Sequence, residues 1–106
     1  MTATRAAYLS ILLLALAPSA AGAQSFDCYR ARTADEGAIC QNPGLSALDN
    51  RMARMYERVR ASLGGRARQR LIQDQSDWLR RRGACGASPS CIEFAYRSRL
   101  EELPTY

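Results

Sequence analysis

The sequence has no histidine and no lysine. Without histidine, Ser-His-Asp and Cys-His nucleophiles are excluded. A zinc site is also disfavoured, because the cysteines form no C-x2-C pair. The chain has no glycine-rich phosphate loop and no internal repeat. Asp74 with Asp77, and Glu101 with Glu102, are read as solvated helix faces rather than a glycosidase carboxylate pair. The chain is expected to be no enzyme, with no metal and no cofactor.

Long apolar runs are nearly absent too. The one that exists, residues 6–17, follows Arg5 and ends at Pro18. It is short of the roughly 20 residues that span a bilayer. With Ala21-Gly22-Ala23 behind it, the pattern reads as a secretory signal over residues 1–23 that is cleaved before Gln24. Cys28 lies too far on to serve as a lipid-anchor cysteine. The expected product, residues 24–106, is one soluble domain in a periplasm or outside the cell, with no transmembrane segment.

Such a short chain builds only a small core, and small exported domains compensate with disulfides. The four cysteines are Cys28, Cys40, Cys85 and Cys91. Local pairing favours Cys28–Cys40 with Cys85–Cys91. Each bridge is worth about 2–3 kcal/mol in the chain-entropy model. The alternative is Cys40–Cys85 with Cys28–Cys91.

Four helices are predicted, and no strand pattern. Thr33 and Glu36 form a capping box that opens a short helix over about 34–41. Asn42-Pro43 opens a second. Leu45, Leu48, Met52, Met55, Tyr56, Val59 and Leu63 recur along it at helical spacing to about residue 63. Gly64-Gly65 ends it. A third helix, about 66–84, carries Leu71, Ile72, Gln75, Trp78, Leu79 and Arg82 on one stripe. Ser90 and Glu93 cap a fourth, about 91–103, with Ile92, Tyr96, Arg99, Leu100 and Leu103 on one face. The fold class is therefore all-α: a disulfide-stapled domain built on an antiparallel hairpin of the second and third helices.

That hairpin explains the polar residues in the third stripe. A two-glycine turn sets Val59 opposite Leu71 and Met52 opposite Trp78. It also sets Tyr56 beside Gln75 and Asp49 beside Arg82. Buried polar groups need partners. The reading is thus an Asp49–Arg82 ion pair and a Tyr56–Gln75 hydrogen bond, with Trp78 packed between them. The hairpin tip gathers Arg58, Arg60, Arg66, Arg68 and Arg70, with no acid from residue 58 to 70. This focus of charge suits an anionic lipid, lipopolysaccharide or an acidic protein. Nucleic acid is a poor partner, since no stacking aromatics are interleaved.

The order Cys28, Ala31-Arg32-Thr33, Glu36, Ile39-Cys40, Leu45, Leu48-Asp49 and Tyr56 continues through Gln75, Trp78-Leu79, Arg82, Cys85, Cys91, Tyr96, Arg99 and Leu103. It resembles the small exported domains named for the N-terminal domain of the mycobacterial lysozyme inhibitor LprI. The likeness covers roughly residues 26–103. It implies an all-helical, disulfide-bearing domain of the bacterial envelope, with lysozyme or another envelope protein as partner. Common animal lysozymes are strongly basic, so a net-positive inhibitor needs a local acidic contact. Asp27, Asp35 and Glu36, together near the mature N-terminus, are the candidates.

Overall fold

The computed structural model of the chain describes residues 2–3 and 25–106. Apart from residues 2–3, the expected signal sequence lies outside the described residues. After a 3₁₀ turn at Cys28–Arg30 come four helices: α1 (Ala34–Gln41), α2 (Pro43–Ser62), α3 (Gly65–Gly83) and α4 (Pro89–Glu102). A second 3₁₀ turn, Leu103–Thr105, follows α4. The domain is all-α, and among the described residues no helix is long and apolar enough to cross a membrane.

The helix ends show which local signals act. Asn42 caps α2 through its side-chain oxygen, which accepts from the amides of Gly44 (3.0 Å) and Leu45 (3.2 Å). Pro43 occupies the first turn, where its missing N–H costs nothing. The two expected capping boxes do not close. Thr33 precedes α1, but Glu36 reaches past it to the amide of Arg32. α4 starts earlier than expected because Pro89 takes the first turn, which makes Ser88 the cap and leaves Glu93 to hold Arg97. The α2–α3 turn also differs. Leu63 and Gly64 are extended, and the left-handed residue is Gly65, at the start of α3.

The structure joins Cys28 to Cys40 and Cys85 to Cys91. The first bridge ties the N-terminal turn to the end of α1. The second spans the α3–α4 loop.

α2 and α3 run antiparallel: Asp49 near the start of α2 lies 3.8 Å from Arg82 at the end of α3. They are not the closest-packed pair, however. α4 packs on both of them, most extensively on α2, and α1 packs chiefly on α2. The reason is bulk. Trp78, Arg82, Tyr96 and Arg99 all point inward, and two helices cannot enclose them. Ile39 of α1, Leu45 and Met52 of α2, Leu71 and Trp78 of α3, and Ile92 and Tyr96 of α4 form one core, with Leu103 behind them.

Candidate functional site: a groove above an arginine-centred core

Arg82 is the hub of the interior, at 4% exposure. Its Nε donates to Asp35 Oδ2 (2.8 Å), and its Nη1 donates to the Tyr96 hydroxyl (3.1 Å). Tyr96 in turn donates to Asp49 Oδ1 (2.8 Å). Asp49 also accepts from the Ser25 hydroxyl (2.8 Å) and the Ser25 amide (2.5 Å). The guanidinium lies within 6 Å of the rings of Trp78, Phe26 and Tyr96. One cation thus bridges two buried carboxylates, from α1 and α2, and a phenol from α4. Burial alone would push the Asp35 carboxyl up. The neighbouring Thr33 hydroxyl and the Arg82 guanidinium outweigh it and hold the group below the usual carboxylate range. The Tyr96 phenol is driven well above its ordinary value, first by burial and then by the Asp49 carboxylate.

A second network lies along the same seam. Arg99, at 1% exposure, donates through Nε to Gln75 Oε1 (2.9 Å). Its Nη1 donates to Glu102 (3.1 Å) and to the Tyr106 hydroxyl (3.2 Å), which itself donates to Asp74. Trp78 is buried, its indole N–H donating to the Ala95 carbonyl (3.0 Å), its ring centroid 5.3 Å from that of Tyr96.

These contacts correct the expected pairs. Asp49 and Arg82 do meet, but at 3.8 Å and chiefly through Tyr96, while Asp35 is the direct partner. The Tyr56–Gln75 bond is not made: the Gln75 amide nitrogen faces Met52 Sδ (3.2 Å) and its oxygen is taken by Arg99. α4, which the hairpin reading left outside, supplies both intruding partners. Asp35 is withdrawn from the acidic contact surface, because at 2% exposure it belongs to the Arg82 core. Asp27 caps the first 3₁₀ turn through the Tyr29 amide, beside Arg30. Glu36 lines a groove.

That groove, about 630 Å³, runs between α2 and α3. One wall is Met52, Ala53 and Tyr56; the other is Ile72, Gln75 and Leu79. Arg82 lies at its floor, with Phe26 and Glu36 at that end and Glu57 on the α2 side. Ile72 and Leu79 are 43% and 41% exposed, unusual for apolar residues on an otherwise core-facing stripe. Sequence reasoning placed them in the core; what opened the groove is the insertion of α4 on the other side of the hairpin. The five tip arginines are all exposed.

The chain is 31% identical over 83 residues to the protein named Lipoprotein LprI in Mycobacterium bovis and in two strains of Mycobacterium tuberculosis. The match covers 76% of this chain and 41% of each relative, so the chain spans about two fifths of their length. No family model matches the chain, and no solved structure matches it significantly.

Proposed function

On the premise that the chain carries an LprI-like domain, we propose that it is an exported, non-catalytic binding protein of the lysozyme-inhibitor type. The main support is the α2–α3 groove. Its walls are apolar and partly exposed, and Glu36 and Glu57 stand at its margins. Arg82 at its floor is already engaged by Asp35 and Asp49. Glu36 and Glu57 are therefore the lining acids a partner meets, on a chain whose formal net charge is +5. Animal lysozymes are strongly basic, and local complementarity can select such a partner against an unfavourable overall field. The partner's basic residues meet Glu36 and Glu57 while an apolar segment lies between Tyr56 and Leu79. Inhibition follows by covering the enzyme's substrate cleft, with no bond made or broken.

The test is a lysozyme turbidity assay on a cell-wall suspension, using residues 24–106 oxidised at all four cysteines. Slowed lysis is expected, with the effect reduced at least tenfold by Glu36→Arg with Glu57→Arg at unchanged thermal stability. No slowing at large molar excess would remove the proposal. Export is checked separately: a secreted form whose mass begins at Gln24 is expected.

A further inference from the structure

We propose that the tip of the α2–α3 hairpin is a docking surface for anionic phospholipid, independent of the groove. Arg58 and Arg60 stand in the last turns of α2, and Arg66, Arg68 and Arg70 in the first turns of α3. The two-residue turn brings both sets to one end of the molecule. All five side chains are exposed. Two have local partners. Arg60 lies 3.7 Å from Glu57, and Arg68 Nε donates to the Leu63 carbonyl that ends α2 (2.9 Å). Among the described residues Arg58, Arg66 and Arg70 make no ion pair. The nearest acid along α3, Asp74, is held by Tyr106.

This charge works against the helix that carries it. The N-terminal end of α3 is the positive end of its dipole, where acids stabilise and cations do not. Its first turn nevertheless has no acid, and Gly64, the cap, has no side chain to accept from the free amides. By contrast α1 has Asp35 and Glu36 in its first turn and α2 has Asn42, while α4, like α3, has neither a first-turn acid nor a side-chain cap bond. The tip is thus dense in hydrogen-bond donors and poor in acceptors. Guanidinium forks match phosphate oxygens in pairs.

The spread of the charge chooses among phosphate sources. The arginines are distributed over the last turns of α2 and the first turns of α3, an arrangement that suits a plane of head groups better than a single phosphate. Residues 58–70 contain no aromatic to stack on nucleic-acid bases. Small and apolar side chains between the arginines, such as Ala61 and Ala67, let the backbone approach the surface.

The experiment is co-sedimentation of the oxidised protein with vesicles of phosphatidylglycerol mixed into phosphatidylcholine, against pure phosphatidylcholine. Binding is expected only to the anionic vesicles and should fall steeply from low to high salt. Each surface arginine contributes about fivefold to such binding. Arg58→Gln, Arg66→Gln and Arg70→Gln together should therefore weaken it on the order of 100-fold, with helical circular dichroism unchanged. Equal binding to neutral vesicles, salt-insensitive binding or an unaffected triple variant would overturn the proposal. So would full competition by millimolar inorganic phosphate, or preference for a nucleic-acid duplex. The salt and lipid arms need no variant, so a misfolded triple mutant leaves the test intact. In the lysis assay the triple variant should behave as wild type, which separates failure of the tip from failure of the groove.

Discussion

Arg82 carries more of the interior than any other side chain, because three helices converge on its guanidinium. Removing it leaves two carboxylates buried without a counter-charge. Arg82→Leu is expected to cost about 3–5 kcal/mol, read as a lowered urea midpoint. Arg82→Lys should recover only part of this, since a point charge cannot reach Asp35 and Tyr96 together. At this scale the sequence was half legible. Trp78 and Arg82 are visibly inward, as they share a helical stripe with Leu71. Asp35 is not, because an acid in the first turn of a helix is favoured there by the dipole whether it is buried or not. Only Ile39, one turn on, hinted that Asp35 lies on the inner face. Tyr96 and Arg99 were correctly placed on the inner stripe of α4, but their partners depended on where that helix came to rest.

The helices themselves were the most legible level, since periodicity, Pro43 and Asn42 act locally. Their ends were less so, because neighbouring residues redirect each cap. Glu36 accepts from the Arg32 amide and so closes no box with Thr33, and Pro89 starts α4 before Ser90. The glycines offer a paired test of backbone conformation. Gly65 has φ +55°, and a Cβ built there would meet nothing within 4 Å. Gly65→Ala should therefore lose about 1–2 kcal/mol from backbone strain alone. Gly83 closes α3 without a positive φ and also has open space around it. Gly83→Ala should gain about 0.4–1 kcal/mol. Thermal unfolding of the two variants should move in opposite directions.

Across the whole molecule, fold class was legible, but packing order was not. A two-glycine turn implies neighbouring helices; it does not say that a third will occupy their seam. The networks so formed set the response to pH. Asp35 has a lowered folded pKa, so its contribution is complete above about pH 4 and is lost as pH falls through that range towards the folded value. Tyr96 has a raised folded pKa. Below about pH 10 both states keep the phenol neutral; above it the unfolded chain ionises and the folded one cannot, so stability falls. Urea midpoints should form a plateau between these limits, and Tyr96→Phe should flatten the alkaline side. The cross-links have a different reach. Each closes a loop between near neighbours, with 12 and 6 residues of separation. No sulfur bond joins the two halves of the chain. Under a reductant, therefore, the segment before α1 and the stretch from Gly86 to Ser88 become the first places for a protease to nick. The long-range architecture, held by side chains alone, outlasts them.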